Sequence, residues 1–204
     1  MKSSEEVYAE ASQLYQKWII QIRANRLSKP LYLFWGTDLT AGDTDKFLVN
    51  DAAELVGATG IAQLFQYMKT NRELVIDPMR SLTWLAAVEQ LDGLQGEVFD
   101  FQAIEEFIHG KGLNKQLIQK LIDFINLYGD FADQIEEKAM LELLKQREIK
   151  ALWDFGYEEI FWKELSSGKE VSAVSLPKLA IDHDALRVAM DKLLAVFFNR
   201  IATV

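Results

Sequence analysis

A chain of 204 residues, half of them apolar and 11% aromatic, can bury a core without covalent staples and is too apolar to remain disordered. It has no cysteine, which excludes disulfides, thiolate metal sites, iron–sulfur clusters and cysteine nucleophiles. Its 22 Lys and Arg against 31 Asp and Glu leave a formal charge of −9, and stretches such as "NRELVIDPMR" and "KQREIK" mix both signs, so nucleic acid is not an expected partner.

The first predicted element is a helix. Ser3 or Ser4 can cap it, Glu5 and Glu6 suit the positive end of its dipole, and Val7, Ala11, Leu14, Trp18 and Ile22 recur on one face. Ser28-Lys29-Pro30 should end it near Leu27. "LYLFWG" at 31–36 reads as a strand buried on both faces, with "KFLVN" at 46–50 a second strand pairing with it. The polar loop "TDLTAGDTD" lies between them. "DAAELVGATGIAQLFQYMKTN" reads as two helical pieces split by Gly57 and Gly60, or one helix weakened there. "DPMR" is a helix start, with Asp77 as cap and Pro78 first, running to Gly93. "EVFDF" at 97–101 is a strand or the lead-in to a helix.

After residue 100 helix follows helix. Asp100 can cap one ending at Gly110, Asn114 one ending at Gly129, and Asp130 a third through Leu143. "YEEIFWKELSSG" is a further short helix, and "KEVSAVSLP" an irregular or strand-like connector. Asp182 or Asp184 caps the last helix, with Leu186, Met190, Leu193, Phe197 and Ile201 inward. Its "LLAVFF" run (193–198) is apolar on more than one side, as befits a central helix or a homo-oligomer contact. The expected fold is mainly α (α+β): a compact, bundle-like single domain over 1–204 with a small β element in the N-terminal half and a soft sub-division near 100. Glutamates stand where the apolar run of a secretory signal would begin, and no run approaches the 20 or so residues of a membrane span. A cytoplasmic protein away from membranes is therefore expected.

Three constellations bear on chemistry. In "AIEEFIHGKG", Glu106 and His109 have the Glu-x-x-His spacing of carboxylate-bridged metal sites, which puts both on one helical face. The chain has only one other histidine, His183, and no second copy of the pattern. A His just before Gly110 also reads as a helix C-terminus, where the dipole favours it, and Glu105, Glu106 and His109 are expected to face water. Asp38, Asp43 and Asp45 crowd the loop after the buried strand, as a cation or polar-ligand site would, but without the spacing of a calcium loop; Asp, Thr and Gly are ordinary turn residues too. His183 lies between Asp182 and Asp184, where helix capping competes with acid–base work. No phosphate-loop, dinucleotide or nucleophile-elbow motif occurs.

The last feature is "LWDFGYEEIFWKEL" (152–165). Trp153, Tyr157 and Trp162 sit there beside Glu158 and Glu159. Helical spacing turns Tyr157, Ile160, Phe161 and Leu165 to the core and leaves Trp162 half exposed. Burial is the plainer reading of such residues; an interface for a basic partner, aromatics rimmed by acids, is the other. The residues favour a binding or regulatory protein with no catalytic residue and no cofactor, acting through a protein partner of basic character, with an inhibitor or immunity-type protein as one form. The alternative is an α-rich enzyme or small-ligand or metal-binding protein using Glu106 and His109 or the Asp38–Asp45 loop.

Overall fold

A computed structural model describes residues 2–172 and 176–204. Part of the "KEVSAVSLP" connector, 173–175, lies outside them. The fold is α+β and rich in helix, with its sheet residues mostly in the N-terminal half, as expected. The chain gathers into two compact units, Met1–Phe99 with Arg200–Val204, and Asp100–Asn199.

In the first unit α1 (Ser4–Tyr15) opens with a full capping box: the Ser3 hydroxyl accepts from Glu6 N, and the Glu6 carboxylate accepts from Ser3 N. The helix then stops twelve residues short of the expected end. Gln16 turns left-handed at φ 56°, and Lys17–Arg23 is a strand, β1. The 3.6-residue recurrence that linked Leu14 to Trp18 and Ile22 is broken there, and Leu14 is exposed. Ile19, Ile20 and Ile22 are β-branched and pack best on a pleated surface. They find one in β2 (Leu31–Asp38), paired antiparallel from Lys17 opposite Gly36 to Ile22 opposite Leu31.

The second strand, β3 (Thr44–Phe47), pairs antiparallel with β2, two residues earlier than expected. β4 (Leu55–Gly57) replaces the first of the two expected helical pieces; α2 (Ile61–Thr70) is the second. A 3-10 turn (Arg72–Leu74) leads to α3 (Pro78–Val88). Pro78 does open that helix, but the Asp77 carboxylate makes no cap bond. It faces the buried Lys17 ammonium at 3.9 Å and Arg80 Nε at 3.8 Å. Lys17 donates to Thr37 O at 2.6 Å and Tyr15 O at 3.2 Å, and burial pulls its pKa below the usual lysine range despite Asp77. β5 (Glu97–Asp100) completes a sheet of order β3-β2-β1-β5. The core of this unit is built on Trp84, ringed by Tyr8, Phe34 and Phe65 and donating Nε1 to Ser12 Oγ at 3.2 Å. The chain returns to it at its end: β6 (Ile201–Thr203) pairs parallel with β4.

In the second unit α4 (Phe101–Ile108) is followed by α5 (Lys115–Gln134), capped by Asn114. α5 runs straight through Gly129, so neither the expected stop there nor the start at Asp130 exists. Buried Phe131 and Ala132 continue the apolar face of Leu117, Leu121, Phe124 and Tyr128, and that packing outweighs one glycine. Then come α6 (Lys138–Leu144), α7 (Arg147–Gly156), a π-helical turn (Tyr157–Phe161), α8 (Trp162–Ser167) and α9 (His183–Phe198). α9 packs against α4, α6 and α7 and buries Leu186, Met190, Leu193, Leu194 and Phe197. Ile201, expected on that face, belongs to β6 instead.

Candidate functional site: an aromatic face on the second unit

The α7–π–α8 stretch carries the exposed aromatics. Trp153 stacks on Tyr157 with centroids 4.1 Å apart; Tyr157 meets Phe161 at 5.3 Å and Trp162 at 6.4 Å; Phe161 and Trp162 meet edge to face at 4.9 Å. Trp153, Phe161, Trp162 and Leu165 are 37, 47, 55 and 64% exposed. Phe161 and Leu165 thus point away from the core they were expected to enter, while Ile160 is buried as expected. The cause is the π turn. Its i→i+5 bonding inserts an extra residue into one turn and rotates everything after it relative to a 3.6-residue projection. Trp162 is half exposed, as its spacing suggested.

A polar pin fixes the ladder to α5. Asn126 Oδ1 accepts from Trp153 Nε1 at 2.8 Å, and Asn126 Nδ2 donates to Tyr157 Oη at 3.0 Å. Asn126 is the residue that sequence reasoning passed over. Its signal is a lone amide inside the apolar run "LIDFINLYGDF" of a long helix. On one side of this pin lies a hollow of about 320 Å³, floored by Ile125, Ile149, Leu144 and Trp153, with Asp130 and Asp154 at its edge. On the other lies one of about 520 Å³, walled by Ile122, Tyr157, Ile160 and Phe161, with Asp123 and Glu164 at its edge. α8 is tied down at its far side: the buried Lys115 ammonium pairs with Glu164 at 2.8 Å and Glu170 at 2.7 Å. Lys115, with Val171 N–H, holds the Glu164 carboxyl below its usual range. Asp154 pairs with Lys150 and Glu159 with Lys163; Glu158 is exposed and has no ion-pair partner among the described residues.

The other candidate residues lie apart from this face. His109 is the C-cap of α4, its Nδ1 2.6 Å from Glu105 O, and exposed Glu106 pairs with Lys111. Glu105, expected in water, is buried. Asp38 belongs to the β2–β3 hairpin. One carboxylate oxygen accepts from Thr40 N at 3.0 Å and Thr40 Oγ1 at 2.6 Å, the other from Lys46 Nζ at 2.8 Å. Burial works to raise its pKa, but the bonds from Lys46 and Thr40 outweigh it and hold the carboxyl below its usual range. Asp45 accepts from Thr37 Oγ1 at 2.7 Å, and Asp43 is exposed at φ 56°. Asp38 and Asp45 therefore lie on the paired strand ends of one hairpin and Asp43 in the turn between them; among the described residues no group of three or more His, Cys, Asp or Glu could hold a metal ion. Asp182 caps α9, accepting from Asp184 N and Ala185 N, while Asp184 pairs with Arg187 at 2.6 Å, so neither flanking carboxylate orients the exposed His183. Among the described residues no helix is long and apolar enough to cross a membrane.

No family model matches the chain, and no curated protein matches it in sequence. Among solved structures it is similar to the C-terminal domain of SatS, crystallised in complex with bromine. The TM-score is 0.56 at 13% identity over 95% of this chain and 96% of that one. At that identity the likeness concerns the fold alone.

Proposed function

We propose that this chain is a binding or regulatory protein that acts through the α7–π–α8 face on a basic protein partner inside the cell. The observation that carries this reading is the ladder of Trp153, Tyr157, Phe161 and Trp162, three of its four members exposed and all in ring contact. Large aromatics cost free energy in water, and aromatic side chains together with Trp in particular dominate the energetics of protein interfaces. Charge supports the basic partner. The second unit has 18 Asp and Glu against 12 Lys and Arg. Opposite fields speed encounter and weaken as salt is added.

The test is retention of cellular proteins on the immobilised chain, wild type against the Phe161→Ala/Trp162→Ala double variant. The variant should keep its circular dichroism spectrum and lose the retained partner. Raising salt to about 0.5 M, where the Debye length falls to a few ångströms, should release that partner from the wild type. Equal retention by both proteins, or retention indifferent to salt, would sink the reading.

A further inference from the structure

We infer that the two hollows beside Asn126 form one binding register: they take two apolar side chains, seven residues apart, from a single basic amphipathic helix. The inference rests on the proposed binding role of this face and adds the form of the partner.

The spacing comes from the walls. On α5 the larger hollow is bounded by residues around Ile122 and the smaller by residues around Gly129. Seven residues of helix at 1.5 Å each put the two centres roughly 10 Å apart along the axis. The opposite wall runs the other way, from Ile149–Asp154 at the smaller hollow to Gly156–Glu164 at the larger, so the depression follows α5. A helix laid along it repeats its apolar face at i and i+7, the same distance. Asn126, held at both ends by Trp153 and Tyr157, is the fixed ridge between the two sockets. A shorter side chain at i+3 or i+4 would cross it.

The walls also select against the other form of peptide. An extended segment gains its affinity by adding to an open sheet edge. Both walls here are helical, so no edge is offered. Charge sets the flank. Asp123, Asp130, Asp154 and Glu164 line the two hollows, against Lys120 and Lys150, so the lining carries an excess of carboxylates; exposed Glu158, next to Tyr157 in the chain, has no ion-pair partner among the described residues. Lys or Arg beside the two anchors would meet these carboxylates at the rim, where they steer and orient more than they tighten.

The experiment is selection from a displayed library of helical peptides about five turns long on the full-length chain. The best selected peptide is then resynthesised with a fluorescent label and its Kd measured by anisotropy. The expected binders have large apolar residues at i and i+7 with Lys or Arg alongside. Trp153→Ala and Phe161→Ala should each raise Kd by about tenfold or more, as loss of a central anchor contact does. Replacing the peptide's anchor that enters one hollow should abolish the effect of mutating that hollow alone, because the two changes remove the same contact. Glu158→Lys, an exposed change that leaves the fold alone, should weaken binding by a few fold. Peptides without the i, i+7 pair, acidic peptides, or binding indifferent to both aromatic variants would overturn the inference. So would a concentration-dependent doubling of the chain's native mass that excludes the peptide, since the occupant would then be a second copy. If cellular partners still depend on Phe161 and Trp162 while no such helix is selected, the binding face stands and the two-socket register falls.

Discussion

At the scale of single residues, one amide and one carboxylate do most to organise their surroundings. Asn126 spends its carbonyl on Trp153 and its amino group on Tyr157, and so ties both aromatics to α5. Asp38 closes the β2–β3 hairpin through Thr40 and Lys46. Its depressed pKa makes a pH prediction. A carboxyl held below its ordinary value, here 3.8, adds stability that is complete above that value and fades as pH falls through the folded-state value. Asp38→Asn should therefore cost about 1–2 kcal/mol in urea unfolding near neutral pH, the worth of a charge-assisted bond. The gap between variant and wild type should narrow once the pH drops below about 4. A gap that stays constant down to acid pH would show that the charge contributes nothing.

At the scale of elements, two glycines on facing helices behave oppositely. Gly129 lies inside α5, and a Cβ there would meet only Leu144 Cδ1 at 3.5 Å, an ordinary contact. Gly129→Ala should stabilise the protein by about 0.5–1 kcal/mol, since alanine loses less backbone entropy in a helix. Gly156 ends α7 just before the π turn, and a Cβ there would fall 1.7 Å from Ile122 Cδ1. Gly156→Ala must push Ile122 out of its place and should cost about 1–3 kcal/mol. Thermal melts of the two variants should move in opposite directions; a common direction would mean that α5 and α7 do not approach as described.

At the scale of the whole molecule, the chain's last residues belong to its first unit. Arg200 O accepts from Leu55 N at 2.7 Å, Val204 N donates to Gly57 O at 2.9 Å, and Ile201 packs over Gly57. Removing residues 200–204 leaves β4 without its ladder partner and should cost on the order of 2–4 kcal/mol at roughly 1 kcal/mol per lost hydrogen bond. Hydrogen exchange should then rise at Leu55–Gly57 while α5 keeps its protection; unchanged exchange at β4 would show that β6 adds nothing to the sheet.

What could be read without coordinates follows a physical division. Caps, turn residues and short-range periodicity are local, so Ser3, Pro78, Asn114 and Asp182 marked true helix starts and "LYLFWG" a true strand. Composition likewise settled the absence of thiol chemistry and the acidic charge. Local signals failed wherever a long-range contact supplied the larger free energy. Lys17–Arg23 became a strand because β2 was there to pair with it, and α5 ran through Gly129 because Phe131 and Ala132 had a core to enter. The aromatic residues of 153–162 could be named from the sequence, but not the direction in which they point. That depends on one π turn, on the approach of Ile122 to Gly156, and on an Asn 27 residues away from Trp153, contacts that exist only once the helices have packed.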